Sequence, residues 1–241
     1  VAGRNPWDTT AVLHAYILVG RDQPLPRPLP QGDVVRIPLQ RSVVNTLVHC
    51  ALVDELGAYG QIKGVCDLPY ISIGKIQQAV LDGQIQDLGE GLNPNIERLI
   101  ELAPDAILLS PFQNDGGYGR LSKLGIPVIE CADYMETSAL GRAEWIRFYG
   151  LLYGREEQAR AIFDGEVSSI FQYGGTYIVM LRHGSYISVY SGLSSVCVHK
   201  GQSVKTRETL GSIGPDSDGH YTLHFQLRKE SERLNPERWV R

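Results

Sequence analysis

Residues 87–133 read DLGEGLNPNIERLIELAPDAILLSPFQNDGGYGRLSKLGIPVIECAD, and this stretch decides the fold class. It contains two short apolar runs, Ile107–Leu109 and Pro127–Ile129, each bounded by turn residues. Both runs are too short for helices and predict buried strands. Leucines and isoleucines before and between them fall at helical spacing, with Asn95 placed to cap the first helix. This alternation predicts a parallel α/β sheet with helices on both faces.

The same pattern extends upstream of this stretch. Residues 42–47 predict a strand, residues 50–56 a helix that stops at Gly57, and residues 62–66 the next strand. The first 37 residues differ, because two alternating apolar segments flank the connector PLPRPLP. We expect a β-hairpin extension joined by a stiff loop there.

A parallel sheet places its candidate site at one edge, because ligands bind beyond the carboxyl ends of the strands. Tyrosine and phenylalanine offer flat apolar area, and histidine, aspartate and arginine fix orientation, so the mixture suits a large planar ligand. The alternative is that these are ordinary solvated loops. The candidate ligand-binding residues are Thr46, His49, Asp67, Tyr70, Phe112, Gln113, Tyr118, Asp133, Tyr134 and Arg142.

Composition excludes several classes of function. The chain of 241 residues has a net charge of −4 and no block of lysine or arginine, which argues against a nucleic-acid partner. No apolar run approaches the roughly 18 residues of a membrane span, and no signal peptide opens the sequence. We therefore expect a soluble chain or a trimmed form. The four cysteines show no metal-ligand spacing, and three of them fall where small buried residues are expected.

Residues 38–159 resemble a known family through a series of linked segments. These are PLQRSVVNT, LVDELGAYGQIKGV, DLGEGLNPNIERLIELAPDAILLS, LSKLGIPVIECAD and AEWIRFYGLLYGREEQA. They resemble the first lobe of periplasmic binding proteins for cobalamin, haem and iron-siderophores. The resemblance implies an ABC-importer receptor in the periplasm or cell envelope, either free or lipoprotein-anchored, whose signal segment is not in this chain. It also implies a long interlobe helix near residues 141–159, a metal-chelate or corrinoid ligand, and docking of Glu97 on an ABC permease.

Residues 160–241 change to a period of two, with strands separated by glycine-rich turns, and predict a small all-β module. The segments GGTYIVMLRHGSYISVYSGLSSVCVHKGQSVKTRETLGSIG and YTLHFQLRK resemble the lysostaphin-type zinc endopeptidases that cut peptidoglycan. In that family, an HxxxD motif and the last histidine of an HxH motif bind zinc. Here His224 keeps the last position, but Thr222 replaces the first histidine, and HxxxD is absent from the sequence.

The two further histidines that assist the attacking water in that family are also replaced, by Thr222 and within Tyr190–Leu193. Zinc catalysis needs three protein ligands and an open position. We therefore expect no peptidase activity, no cofactor and no metal site, with His224 as a remnant ligand position. The module resembles zinc-free family members that bind partners or activate amidases.

Two hypotheses follow for the whole chain. The first is a ligand-binding component of an ABC importer with an appended non-catalytic module. The second is a non-catalytic scaffold that interacts with peptidoglycan or a murein amidase. Because the joint near residues 158–161 interrupts both family patterns, a fusion or chimera of two fragments is indicated. Each fragment lacks the half that normally covers it, so we also expect exposed apolar surface and self-association.

Overall fold

The computed structural model describes residues 2–4, 12–91, 93–111, 121–136, 139–215 and 218–236. The chain divides into two compact units. The first comprises Val1–Thr137 with Phe148–Arg155, and the second comprises Ser138–Arg147 with Glu156–Arg241. Each unit has its own sheets.

The first unit is built on a five-stranded parallel sheet, which confirms the predicted α/β lobe. The strand order is β10-β9-β4-β5-β6, and a separate two-stranded ribbon pairs β7 with β8. The elements after the first 37 residues are β4 (Ser42–Val44), α1 (Leu47–Glu55), β5 (Ile62–Val65), α2 (Gly74–Leu81), β6 (Gln86–Asp87), β7 (Gly89–Glu90), β8 (Asn93–Pro94), α3 (Ile96–Leu102), β9 (Ala106–Leu109) and β10 (Val128–Glu130).

Local signals explain where these elements begin and end. Asn95 caps α3 as predicted, since its side-chain oxygen accepts a hydrogen bond of 3.0 Å from the Arg98 amide. Thr46 caps α1 in the same way, accepting from the His49 amide at 3.3 Å. The strand predicted over residues 42–47 ends at Val44, because Thr46 is the N-cap residue of α1.

The core on one face of this sheet consists of strand and helix side chains that are nearly inaccessible. Gly64 on β5 lets α3 approach closely, because a Cβ there would lie 2.9 Å from side-chain carbons of both Leu88 and Leu102. Burying one leucine fully contributes about 2 kcal/mol. The buried cluster is Val43, Cys66, Leu88, Leu99, Leu102, Ile107, Leu109, Leu121 and Val128.

The N-terminal segment forms a second sheet, with β1 (Ala2–Arg4), β2 (Val12–Gly20) and β3 (Asp33–Ile37) in the order β1-β2-β3. β2 and β3 run parallel, so the predicted hairpin is wrong. The connector of residues 21–32 is long enough for the crossover that parallel neighbours require. The buried Tyr16 on β2 accepts a 2.8 Å hydrogen bond from the Glu130 amide, which covers part of the edge strand β10.

The helix expected over residues 141–159 is present as two helices, α4 (Ala139–Tyr153) and α5 (Glu156–Asp164). Gly154 ends α4 with a φ of 63°, and the Arg155 amide donates to the Gly150 carbonyl at 2.8 Å. This is the helix-ending motif that a glycine in the left-handed region allows. Within the described residues, no helix combines the length and the apolar character needed to cross a membrane.

The second unit carries a six-stranded antiparallel sheet, which confirms the predicted β module. Its strands follow the order β11-β12-β13-β15-β16, with β14 paired to β13. Gly174 and Gly175 make the tight turn between the first two strands, with φ of 58° and 81°. The strands are β11 (Glu166–Tyr173), β12 (Thr176–His183), β13 (Tyr186–Val196), β14 (Gly211–Ile213), β15 (His224–Lys229) and β16 (Glu232–Leu234).

Candidate functional site

The carboxyl ends of the strands of the first unit lie at one edge, because β10, β9, β4 and β5 are parallel neighbours in that order. The segments that leave these strands begin at Asn45 after β4, Cys66 after β5, Ser110 after β9 and Cys131 after β10. Neighbouring strands are about 4.8 Å apart, so the exits of β10 and β5 are separated by roughly 14 Å.

His49 and Asp133 form a buried polar pair at this edge. The His49 Nε2 atom lies 3.3 Å from the Asp133 Oδ1 atom, and the two residues are 1% and 2% exposed. In the tautomer of a neutral imidazole with the proton on Nε2, that atom donates to the carboxylate and Nδ1 is an acceptor. Nδ1 is buried and has no hydrogen-bond partner in the part of the chain that the structure describes. The pair joins α1, which follows β4, to the segment that follows β10.

Cys131 and Tyr149 lie beside this pair and remain uncharged. Burial raises the pKa of the Cys131 thiol, and it also raises the pKa of the Tyr149 hydroxyl. The Tyr149 ring lies 6.2 Å from the His49 ring, measured between centroids. A thiol that stays protonated is neither a nucleophile nor a metal ligand. These two side chains therefore contribute neutral groups to the buried surroundings of the pair.

Asp67 sits in a second polar cluster at the same edge, with Asn45 and Gly91. The Asp67 Oδ1 atom accepts a 3.1 Å hydrogen bond from the Gly91 amide, and the Asn45 side-chain nitrogen donates to the Gly91 carbonyl at 3.3 Å. A Cβ on Gly91 would lie 2.6 Å from Asp67 Oδ2, so glycine permits this close approach. These hydrogen bonds hold Gly91, which lies between β7 and β8, to residues that follow β4 and β5.

Two tyrosines present exposed rings at opposite ends of this edge. Tyr70, after β5, is 79% exposed, and Tyr134, after β10, is 48% exposed. The Tyr134 hydroxyl donates a 2.9 Å hydrogen bond to the Pro111 carbonyl, so its ring is held beside the exit of β9. Exposed aromatic rings fixed by their polar ends are typical of surfaces that bind large apolar ligands.

The remaining predicted residues belong to α3, to the second unit or to the part of the chain outside the described residues. Arg142 lies on α4 in the second unit, and Glu97 is exposed in the first turn of α3. Phe112, Gln113 and Tyr118 lie outside the described residues. The structure therefore brings His49 into contact with Asp133 and groups Thr46, Asp67, Tyr70 and Tyr134 around the same sheet edge.

Sequence reasoning missed Asn45 and Gly91. Asn45 is a buried polar residue, 5% exposed, and its Oδ1 atom has no hydrogen-bond partner among the described residues. Its position directly after the apolar residues Val43 and Val44 was the available signal, since a polar residue there stands at a strand exit. Gly91 carried no comparable signal, because its role depends on a contact with a residue 24 positions away.

The β module keeps one position of a peptidase zinc site. His224 is exposed at the start of β15, and its Nε2 atom lies 3.1 Å from the side-chain nitrogen of Gln226. Among the described residues, there is no group of three or more histidine, cysteine, aspartate or glutamate side chains that could hold a metal ion.

Family models match both parts of the chain. Residues 51–170 match the periplasmic binding protein family, and residues 150–236 match peptidase family M23. The two matches overlap at residues 150–170, the region where the sequence pattern changes.

Curated relatives match part of this chain. An uncharacterised lipoprotein of Methanocaldococcus jannaschii is 29% identical over 163 residues, 62% of this chain and 39% of the relative. Stage II sporulation protein Q of Bacillus subtilis is 36% identical over 66 residues, 25% of this chain and 23% of the relative. The chain spans about two fifths or less of the length of these curated relatives.

Solved structures also match part of this chain. The petrobactin-binding protein YclQ of Bacillus subtilis matches with a TM-score of 0.43 at 18% identity, over 67% of this chain and 60% of that chain. The SpoIIQ–SpoIIIAH pore-forming complex matches with a TM-score of 0.30 at 28% identity, over 32% of this chain and 51% of that chain. The chain therefore joins a stretch that matches the periplasmic binding protein family to a stretch that matches peptidase family M23.

Proposed function

We propose that residues 38–159 form the ligand-binding lobe of an ABC-importer receptor for cobalamin, haem or an iron-siderophore. In this proposal residues 1–37 are an extension of the lobe, and residues 160–241 are an appended non-catalytic module. The family match over residues 51–170 supports a ligand-binding role. The cell envelope is the corresponding location.

One observation carries the proposal, namely that a single sheet edge presents exposed aromatic rings on both sides of buried polar groups. Tyr70 and Tyr134 follow strands whose exits are roughly 14 Å apart. His49 and Asp133 belong to the segments that follow β4 and β10. A ligand that contacts both rings must be large, and a metal chelate or a corrinoid has the size and the flat apolar faces to do so.

Unsatisfied acceptors at the same edge support a bound ligand or ordered water. Asn45 Oδ1 and His49 Nδ1 are buried without a partner among the described residues. Leaving a buried polar atom unpaired costs about 1–3 kcal/mol. Such atoms therefore call for a hydrogen-bond partner from outside the described residues.

The proposed binding residues are those predicted from the sequence that belong to the first unit, of which Phe112, Gln113 and Tyr118 lie outside the described residues. Glu97 is the proposed contact with an arginine of the permease, because it stands exposed at the first turn of α3. A single lobe leaves much of the ligand exposed, so we expect an affinity on the order of micromolar or weaker.

Titration of haemin, cyanocobalamin and a ferric siderophore tests the proposal. The variant carrying Tyr70→Ala with Tyr134→Ala should weaken binding at least tenfold relative to the wild-type chain. Tyr173→Ala is the matched control, because Tyr173 is 78% exposed in the β module. Binding that survives the double substitution would place the site elsewhere, and no binding at millimolar ligand would reject the proposal.

A second candidate function is a non-catalytic scaffold that binds peptidoglycan or a murein amidase. The observation that favours it is the family match over residues 150–236 combined with the absence from the sequence of the HxxxD motif, which supplies two of the three zinc ligands in the resembling endopeptidases. Sedimentation with purified murein, with and without added zinc, tests this candidate. Cosedimentation without hydrolysis would support it, and zinc-dependent hydrolysis would reject it.

A further inference from the structure

Two side-chain contacts connect three of the four strand exits at the proposed site. His49, in the first turn of α1 after β4, contacts Asp133 after β10 at 3.3 Å. Tyr134, the next residue, donates to the carbonyl of Pro111 after β9 at 2.9 Å. The exits of β4, β10 and β9 are therefore linked in that order by one buried contact and one half-exposed contact.

The segment that carries Asp133 and Tyr134 is a short turn, whose backbone hydrogen bonds include the Glu136 amide donating to the Asp133 carbonyl at 3.3 Å. Residues Asp133–Met135 form a single 3-10 turn, closed by the Met135 amide donating to the Ala132 carbonyl at 3.0 Å. A turn this short lacks the cooperative hydrogen bonding of a longer helix. Asp133 is the buried residue of the turn, and Tyr134 beside it is about half exposed. The orientation of the turn thus depends on what holds Asp133.

We infer that His49 is a positioning residue of the ligand site, which acts through Asp133 to hold the turn that presents Tyr134. The inference rests on the proposed function. His49 itself is 1% exposed, so its action through the turn is separate from any hydrogen bond that its Nδ1 atom forms with a ligand or water. A turn that is held before binding removes the ordering cost from the binding step, and a loosened turn lowers affinity in proportion to the fraction in the competent state.

The first experiment needs no ligand. Amide hydrogen exchange of the peptide covering residues 131–136 is measured in the wild-type chain, in His49→Gln and in Tyr153→Phe. Tyr153→Phe is the matched control, because it removes a buried 2.8 Å hydrogen bond to Ser42 Oγ at the amino end of β4. We expect exchange about tenfold faster in His49→Gln alone. Equal exchange in all three chains would overturn the inference.

The second experiment measures affinity with whichever of haemin, cyanocobalamin or the ferric siderophore binds the wild-type chain. His49→Gln should weaken binding about tenfold, the factor for one hydrogen bond of ordinary net strength. Asp133→Asn, which keeps the shape and one acceptor oxygen, should weaken it less. A double-mutant cycle of His49→Gln with Tyr134→Phe should be non-additive, since both act on one turn. Tyr153→Phe should lower the melting temperature without changing affinity.

The outcomes separate the inference from the proposed function. If none of the three ligands binds the wild-type chain, the proposed function fails, and the exchange experiment still decides whether His49 holds the turn. If a ligand binds the wild-type chain and His49→Gln equally well, only the inference fails. Additive effects in the double-mutant cycle would likewise contradict action through a shared turn.

Discussion

Removal of the Asp105 carboxylate should destabilise the first unit more than the loss of an ordinary surface ion pair. Its Oδ2 atom accepts hydrogen bonds from the Arg21 guanidinium, from the Gln40 amide at 2.7 Å and from the Arg41 amide at 3.0 Å. The carboxylate therefore ties the end of the N-terminal sheet and the approach to β4 to the segment before β9.

The magnitude follows from the number and type of these bonds. The side chain of Asp105 is 17% exposed, so solvent replaces its partners only in part. Hydrogen bonds to a charged group contribute more than neutral ones, and we expect Asp105→Ala to cost about 3 kcal/mol of unfolding free energy. Asp105→Asn keeps the shape and one acceptor oxygen, and should cost about half as much.

The same site predicts a pH dependence. Burial by itself raises the pKa of Asp105, but the bonds from Arg21, Gln40 and Arg41 outweigh it and hold the pKa below its ordinary value. A lowered folded-state pKa gives stability that is present above the unfolded pKa of about 4 and is lost as the pH falls through the folded pKa. Asp105→Asn lacks this contribution, so its stability should depend less on pH in that acid range.

Hydrogen exchange of the β4 and β9 amides measures these changes within the first unit. Asp54→Asn is the matched control, because the Asp54 carboxylate pairs with the half-exposed Lys75 and should contribute well under 1 kcal/mol. If Asp105→Ala costs no more than Asp54→Asn, or if wild type and Asp105→Asn show equal pH dependence between about pH 5 and pH 3, the reasoning is refuted.

Three further predictions concern packing and reactivity. Gly64→Ala should cost about 1–3 kcal/mol in urea unfolding, because the new Cβ overpacks the core beneath β5; an unchanged midpoint would contradict the contact. Gly91→Ala should loosen the β7–β8 ribbon, because the new Cβ would clash with the Asp67 carboxylate. Amide hydrogen exchange of residues 86–94 should then become faster, and unchanged exchange would contradict the role of the polar cluster. Under native conditions, a thiol reagent should modify one cysteine per chain, the exposed Cys197, whereas a second fast-reacting thiol would show that the other three are accessible.

The parallel lobe was predictable because its signals are local. The apolar runs at residues 107–109 and 128–129, and the cap at Asn95, depend only on neighbouring residues. The hairpin predicted for the N-terminal segment failed because strand direction is not encoded in an alternating pattern. The pairing of β2 with β3 is set by the path of the connector and by packing, which alternation does not report.

The candidate site was likewise predictable only in part. The sequence by itself determined which residues follow the strands, and a parallel sheet then requires those residues to share an edge. Only the tertiary structure decided that His49 reaches Asp133, 84 positions away, and that Gly91 rather than a ligand occupies Asp67 Oδ1. Hydrogen-bond partners depend on distances of a few tenths of an ångström between segments remote in sequence, and such distances are fixed by packing of the whole lobe and not by any local pattern.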